Sequence, residues 1–174
     1  MNKIKLIVLD VDGVLTDGRL YIGSDGSEWK AFHTLDGMGI SLAHSAGLKT
    51  AIITGRKSQA VKTRAADLQI DYVYEGVHDK LSVLEEITAD MGIGFEEVCY
   101  MGDDLNDIPV LAAAGLSFAP ENATRFVKQY TDFVTRASGG NGAVREMIDY
   151  LLNQQYSEEE LLQLFLKGKT KMVQ

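Results

Sequence analysis

The chain has 174 residues, of which 45% are hydrophobic and 24% are charged, and its formal net charge is −8. This length and composition favour one globular domain with a sizeable core and argue against a disordered chain. The acidic balance argues against nucleic acid or an anionic membrane surface as the main partner.

The compartment is indicated by the cysteine content and by the lengths of the apolar runs. Cys99 is the single cysteine, so no disulfide can form within the chain, and it lies in an apolar segment where it would be buried. No run approaches the roughly 18 apolar residues that a membrane-spanning helix needs. We therefore expect a cytoplasmic protein with no membrane partner.

Apolar runs alternate with helical patterns along the chain. The runs predict strands, and their continuity is typical of parallel strands covered on both faces; they lie at 4–9, 49–53, 72–74, 97–101, 115–119 and 132–134. Helical patterns, with Gly47 and Gly92 as C-terminal stops, lie at 37–46, 57–68, 79–91, 105–114, 122–128 and 142–154. This alternation predicts an α/β fold with a doubly wound, mainly parallel sheet of the Rossmann-like type.

Two segments depart from this alternation. Residues 19–32 have the turn and the flanking aromatic residues of a β-hairpin flap, whose open edges need covering. A capping box at Ser157 starts a short apolar helix over 161–166, and the chain then ends in a basic stretch. We therefore predict a single domain over 1–156 and a C-terminal tail over 157–174, which is either solvated or reaches the anionic substrate of a neighbouring subunit.

The first strand ends in the segment DVDG, which contains Asp10, Asp12 and Gly13. Residues two positions apart on an extended chain point the same way, so the two carboxylates can face one space. Gly13 would let a backbone N–H approach an anion closely. Such a site suits a divalent cation and a phosphate, whereas the structural alternative is a strand that ends in an Asp-Gly turn.

A later apolar strand ends in the segment GDDLND at 102–107, which supplies Asp103, Asp104 and Asp107. If these acids converge with the first pair, repulsion would protonate some of them unless a cation or a lysine lies among them. Oxygen ligands of this kind are those that Mg²⁺ favours. Scattered helix caps are the alternative, with Asp104 as the N-cap of the helix that begins at Leu105.

Two weaker signals complete the pattern: Thr54-Gly55-Arg56 directly after a strand, and Lys80 at the start of a helix. In order and spacing, the four segments resemble the haloacid dehalogenase superfamily of phosphotransferases. The resemblance extends to its small, capless branch that acts on 3-deoxy-D-manno-octulosonate 8-phosphate (KDO 8-phosphate), and it is carried by 10–18, 32–40, 53–56 and 136–146. Relatives that act on nine-carbon sialic acid phosphates share most of these segments.

The resemblance implies a phosphatase with Mg²⁺ as its cofactor. Asp10 would be the nucleophile that forms an aspartyl phosphate, and Asp12 would be the general acid and base. The metal would be held by the carboxylates of Asp10 and Asp103 and by the backbone carbonyl of Asp12. Asp104 and Asp107 would orient metal-bound water or Lys80.

The resemblance also implies a set of substrate-binding residues. The phosphoryl oxygens would be bound by the Thr54 hydroxyl, the N–H groups of Gly13 and Gly55, Lys80 and the Asn106 amide. Arg56 would meet the sugar carboxylate. In the nine-carbon enzymes, Glu tends to follow the Thr-Gly pair, so Arg56 favours the eight-carbon substrate, with N-acylneuraminate or 2-keto-3-deoxynonulosonate (KDN) 9-phosphate as the alternative.

Finally, the resemblance implies no large cap domain, and a homotetramer in which the flaps of different subunits meet. A non-enzymatic alternative is a receiver domain, which also places acids, a Thr and a Lys on an α/β sheet and accepts phosphate on Asp. Receiver domains pair adjacent acids after the first strand, whereas here the alternating pair comes first and the adjacent pair follows a later strand.

Overall fold

The central sheet of the protein contains parallel strands only. The computed structural model describes residues 3–172, with side chains through Lys167. The strands of this sheet are β1 (Leu6–Leu9), β4 (Lys49–Thr54), β5 (Tyr72–Glu75), β6 (Val98–Met101), β7 (Leu116–Ala119) and β8 (Phe133–Val134). They are ordered β5-β4-β1-β6-β7-β8, which is the Rossmann order when these strands alone are counted.

The direction of winding reverses between β1 and β6. Leu9 at the end of β1 pairs with Ile52 of β4 on one side and with Met101 of β6 on the other. The carboxyl ends of these strands therefore lie at one edge of the sheet. An open α/β sheet binds its ligands in the crevice at such a reversal, and Asp10 and the segment 102–107 follow directly there.

Helices cover both faces of the sheet. Alternate residues of β1 point to opposite faces, and all four are buried, because Ile7 and Leu9 pack into one apolar cluster and Leu6 and Val8 into another. The first cluster includes residues of four helices: α1 (Thr34–Ser45), α2 (Gln59–Asp67), α5 (Ala143–Asn153) and α6 (Glu158–Met172). The second cluster includes residues of α3 (Lys80–Met91) and α4 (Ile108–Ala113). This arrangement confirms the predicted doubly wound α/β fold.

The flap is a short antiparallel hairpin formed by β2 (Tyr21–Ile22) and β3 (Glu28–Trp29). The paired region is shorter than the hairpin predicted over 19–32, because each strand contributes only two paired residues. Gly26 in the turn has a φ of +82°, a conformation that favours glycine. The described residues contain no larger insertion between β1 and α3, which confirms the absence of a large cap domain.

Several helix boundaries differ from those predicted. The first helix begins at Thr34 instead of residue 37, because the His33 side chain caps it by accepting a hydrogen bond from the Leu35 N–H. The segment 105–114 is a 3₁₀ turn at Leu105–Asp107 followed by α4. The predicted helix over 122–128 is wrong: a 3₁₀ turn at Val127–Gln129 is the only helical element there.

The C-terminal helix, α6, has 15 residues and is longer than the short helix predicted over 161–166. Leu161 on this helix joins the apolar cluster beneath α1 and α5. The basic side chains after Lys167 lie outside the described residues. The alternative that they reach the substrate of a neighbouring subunit concerns those same side chains and stays a prediction. Between residues 3 and 172, no helix is long and apolar enough to cross a membrane.

Replacing Leu161 with Ala tests whether α6 is part of the folded unit. Leu161 is 8% exposed, whereas its neighbour Leu162 is 59% exposed. We expect Leu161→Ala to lower the free energy of unfolding by about 2 kcal/mol, because it removes a buried side chain and leaves a cavity. The matched change Leu162→Ala should alter it by less than about 0.5 kcal/mol in urea denaturation. Equal effects would show that α6 does not pack as described.

Candidate active site

A cleft of about 240 Å³ opens at the carboxyl edge of the sheet, between the ends of β1, β4 and β6. It is lined almost entirely by polar residues and glycines, namely Asp10, Asp12, Gly18, Thr54, Gly55, Arg56, Asp103, Asp104 and Asn106. The fold thus brings together residues from three separate strand ends, nearly 100 positions apart in the chain.

Lys80 lies beneath this cleft at the first position of α3, where its side chain is 1% exposed. Its Nζ is 3.1 Å from Asp10 Oδ1 and 2.7 Å from Asp107 Oδ1. Burial lowers the pKa of Lys80, but the two carboxylates raise it more, so its net pKa is above the ordinary value. The side chain is therefore a fixed positive charge shared by the loops that follow β1 and β6.

Asp107 is fully buried and holds the acidic loop together. Its Oδ1 accepts hydrogen bonds from Lys80 and from the Tyr100 hydroxyl at 2.6 Å, and its Oδ2 accepts from the N–H groups of Asp103 at 2.9 Å and Asp104 at 3.1 Å. Both carboxylate oxygens are thus fully used. Tyr100 is not among the site residues predicted from the sequence, although a polar ring in an otherwise apolar strand was an available signal.

The remaining carboxylates carry more negative charge than Lys80 can neutralise. Carboxylate oxygens of Asp10, Asp103 and Asp107 lie within 4.8 Å of one another. Burial, together with Asp107, raises the pKa of Asp10 to about 6 against the opposing effect of Lys80. Burial, followed by repulsion from Asp10 and Asp107, raises that of Asp103 to about 8. A divalent cation fits here, and because Asp107 is already saturated, Asp10 and Asp103 are the carboxylates available to hold it.

The residue after Asp12 must be glycine. Gly13 has a φ of +87°, and a Cβ at this position would overlap the Asp103 carboxylate. Its N–H is directed at the Thr16 hydroxyl, with a long donor–acceptor distance of 3.4 Å. The β1 loop and the β6 loop are therefore in direct contact through a position that tolerates no side chain.

Asp12 faces away from the acidic cluster and toward the flap. Its Oδ1 is in contact with Lys30 Nζ, and its Oδ2 is 3.7 Å from Arg56 Nε. Arg56 Nη2 is 2.6 Å from Glu28 Oε2 on β3. The carboxylates of Asp10 and Asp12 thus occupy different electrostatic surroundings, one beside Lys80 and the other beside two cations at the base of the flap.

The other predicted residues lie around the cleft. Thr54 is buried at the end of β4, and its hydroxyl oxygen accepts a hydrogen bond from the Arg56 N–H at 3.4 Å. The Asp104 side chain caps the 3₁₀ turn by accepting from the Leu105 N–H at 2.8 Å, and Lys80 contacts Asp107 and Asp10, not Asp104. Asn106 is exposed at the rim.

Asn122 is a second residue that sequence analysis missed. Its Nδ2 donates to the Gly13 carbonyl at 3.0 Å, and its Oδ1 accepts from the Gly139 N–H at 2.5 Å. A Cβ at Gly139 would overlap the Gly13 carbonyl, which explains why a glycine stands there. Asn122 therefore fixes the loop after β1 against the loop before α5.

A Rossmann-ordered sheet with an Asp-x-Asp loop and a second acidic loop at its switch point defines a phosphotransferase of the haloacid dehalogenase class. The haloacid dehalogenase-like hydrolase family matches residues 72–148. The chain is 45% identical over 159 residues, 91% of its length, to 3-deoxy-D-manno-octulosonate 8-phosphate phosphatase KdsC of Escherichia coli K12, of which the match covers 85%. The chain belongs to the haloacid dehalogenase-like hydrolases, in the group that contains this phosphatase.

Solved structures agree with this placement. A probable YrbI family phosphatase from Pseudomonas syringae superimposes with a TM-score of 0.90 at 48% identity, covering 94% of this chain and 93% of that one. The 3-deoxy-D-manno-octulosonate 8-phosphate phosphatase from Moraxella catarrhalis, solved with a magnesium ion, a phosphate ion and KDO, superimposes with a TM-score of 0.89 at 38% identity and covers 93% of both chains.

The Tyr100 hydroxyl should contribute to stability through Asp107. We expect Tyr100→Phe to lower the free energy of unfolding by about 1.5 to 3 kcal/mol, because it removes a buried hydrogen bond to a charged acceptor. Tyr72→Phe is the matched control, since its hydroxyl donates to Asp90 at 2.7 Å on the exposed surface, and it should have an effect below about 0.5 kcal/mol. Chemical denaturation measures both, and similar losses would contradict the role assigned to Tyr100.

Proposed function

We propose that this protein is a Mg²⁺-dependent phosphatase that hydrolyses KDO 8-phosphate to KDO and phosphate. The observation that carries the proposal is the buried Lys80 between Asp10 and Asp107, directly beneath a polar cleft at the switch point of the sheet. It is supported by the 45% identity to a phosphatase of that name and by the related structure with magnesium, phosphate and KDO.

The reaction needs a nucleophile, and Asp10 is the residue best placed to supply it. Phosphate monoester hydrolysis is among the slowest uncatalysed reactions, so it is divided into two easier displacements. One Asp10 oxygen is held by Lys80, while the residue lines the cleft. Attack of an Asp10 oxygen on phosphorus forms an aspartyl phosphate and releases the sugar alcohol.

Asp12 is the proposed proton carrier. It lines the same cleft but lies outside the cluster formed by Asp10, Asp103 and Asp107. It donates a proton to the sugar oxygen as the ester bond breaks and then removes one from the water that attacks the aspartyl phosphate. Separation of the two aspartates lets one act as nucleophile and the other as acid and base.

The proposed metal ligands are the carboxylates of Asp10 and Asp103 and the backbone carbonyl of Asp12. When bound, Mg²⁺ supplies positive charge that allows an anionic nucleophile to meet an anionic phosphate. Thr54, the N–H groups of Gly13 and Gly55, Lys80 and the Asn106 amide are the proposed phosphoryl-binding groups. Asp107 orients Lys80, and Asp104 shapes the turn that presents Asn106.

Arg56 supports a sugar acid as substrate, and the resemblance, in which the nine-carbon enzymes tend to carry Glu at this position, favours the eight-carbon acid. Arg56 lines the cleft one residue beyond Gly55, and its side chain is 48% exposed. A guanidinium fork is a good partner for a sugar carboxylate, whereas Glu at this position would repel it.

The proposal includes a homotetramer in the cytoplasm. The flap exposes Leu20, Tyr21, Ile22 and Trp29, with Ile22 and Trp29 more than 65% exposed. Exposed apolar side chains on a two-stranded hairpin are typical of an interface. Burial of the one cysteine, Cys99, suits a reducing compartment.

In this proposal residues 1–156 form the catalytic domain and residues 157–174 form a C-terminal tail.

The test of the function is a phosphatase assay with purified protein and Mg²⁺ against a panel of sugar phosphates. We expect KDO 8-phosphate to give a higher kcat/KM than N-acylneuraminate 9-phosphate or KDN 9-phosphate. Chelation should abolish turnover, Mg²⁺ should restore it, and Ca²⁺ should substitute poorly because its bonds are longer and its coordination looser. Higher kcat/KM on a nine-carbon phosphate would overturn the substrate assignment, and undiminished turnover in chelator would overturn the metal dependence.

Replacing Asp10 with Asn tests the nucleophile. We expect Asp10→Asn to lower kcat by at least about 10³-fold, since the amide has the shape of the carboxylate but cannot form the phosphoenzyme. Asp67→Asn on the exposed end of α2 is the matched control and should retain normal turnover. A correctly folded Asp10→Asn enzyme with near-normal phosphate release would exclude the mechanism.

A charge on the flap tests the assembly. We expect the wild-type protein to sediment as a tetramer and Ile22→Asp to dissociate it, because a carboxylate would have to be desolvated in an apolar contact. Val73→Asp on the outer strand β5 is the control, since Val73 is also an exposed apolar residue. A wild-type monomer with full activity at micromolar concentration would refute both the tetramer and any shared site.

A further inference from the structure

Four charged side chains meet at the base of the flap, and we call Asp12, Glu28, Lys30 and Arg56 the flap ion cluster. Arg56 Nη2 is 2.6 Å from Glu28 Oε2, and Lys30 Nζ is 3.3 Å from Glu28 Oε1. The same two cations approach Asp12, with Lys30 in contact and Arg56 Nε at 3.7 Å. The two negative and two positive charges of the cluster therefore balance.

Glu28 is held in this cluster without being fully satisfied. Its Oε1 is buried and has no hydrogen bond in the described part of the structure, although Lys30 Nζ is nearby. The Lys30 side chain is only 1% exposed, so its charge is directed at Glu28 and Asp12, not at solvent. A buried acceptor without a hydrogen bond is unfavourable, which makes the Glu28 contact easier to exchange for another carboxylate.

Arg56 connects the cluster to the cleft. It lines the cleft beside Thr54 and Gly55, yet one arm of its guanidinium is already committed to Glu28. A carboxylate that enters the cleft needs that same fork for a bidentate pair. Glu28 and an incoming carboxylate therefore compete for one cation.

We propose that Glu28 occupies the position of the substrate carboxylate in the free enzyme and is displaced from Arg56 when the substrate binds. The inference rests on the proposed function, because it takes a carboxylated sugar phosphate as the substrate. A phosphate ester without a carboxylate leaves Glu28 in place. Glu28 is thus a specificity-determining residue that acts by competition and lies on the flap, outside the groups that hold phosphate.

The experiment measures inhibition by KDO, with p-nitrophenyl phosphate as the reporter substrate and Mg²⁺ present. In Glu28→Gln the competing charge is gone while the side chain keeps its shape, so the inhibition constant of KDO should fall about threefold, as expected for loss of a partly exposed ion pair. The inhibition constant of inorganic phosphate should not change. Glu86→Gln, a surface glutamate that accepts from the Tyr74 hydroxyl, is the matched control.

Two further variants separate competition from other effects. Glu28→Asp keeps the charge but shortens the side chain, so it should also tighten KDO binding, whereas a pure field effect would leave it like wild type. In an Arg56→Ala background, Glu28→Gln should no longer alter KDO inhibition. Thermal melting of each variant confirms that the fold is intact, and Glu28→Asp serves as the principal variant if Glu28→Gln melts early.

The outcomes are distinct. KDO inhibition that is unchanged or weaker in both Glu28 variants, or an equal gain for inorganic phosphate, would overturn the proposal. Persistence of the effect without Arg56 would overturn it as well. Hydrolysis of KDO 8-phosphate by the wild-type enzyme is measured separately, so failure of the proposed function is seen as lost turnover and failure of the Glu28 proposal as an unaltered inhibition constant.

Discussion

The buried ammonium of Lys80 is the interaction on which the rest of the site depends. It approaches from α3 and joins Asp10 after β1 to Asp107 after β6. Burying three charges is unfavourable unless each is paired and hydrogen-bonded, and the Tyr100 hydroxyl and two backbone N–H groups complete the set around Asp107. Because these donors belong to the core and the backbone, the Asp10 carboxylate is held by the fold itself.

Local charge in the cleft opposes the charge of the whole chain. The net charge is −8, yet Lys80, Lys30 and Arg56 gather at one edge of the sheet, two of them almost entirely covered. Buried cations are screened less than exposed ones, so they act strongly over short distances. Lys80 does not neutralise all the negative charge of Asp10 and Asp103, so a divalent cation bound there would add to the local positive charge.

The flap gives different roles to its two faces. Glu28 and Trp29 of β3 point in opposite directions, so Trp29 is 69% exposed while Glu28, like Lys30 just after the strand, contacts the charges near the cleft. Tyr21 and Trp29 pair on the outward face, and the inward face carries Ile22 together with the charges that border the cleft. Contact with another subunit would therefore also restrain the residues beside the proposed acid and base.

The alternation of strands and helices could be predicted from the sequence because apolar periodicity is local, and parallel strands place the residues after β1 and β6, Asp10 and Asp103, at one edge of the sheet. The contacts between distant segments could not be predicted in this way. Asn122 bridges Gly13 and Gly139, and this loop replaces the helix predicted over 122–128. The partners of Tyr100, Glu28 and Lys30 could not be predicted either, because a side chain's partner across the fold leaves no periodic signal in the chain.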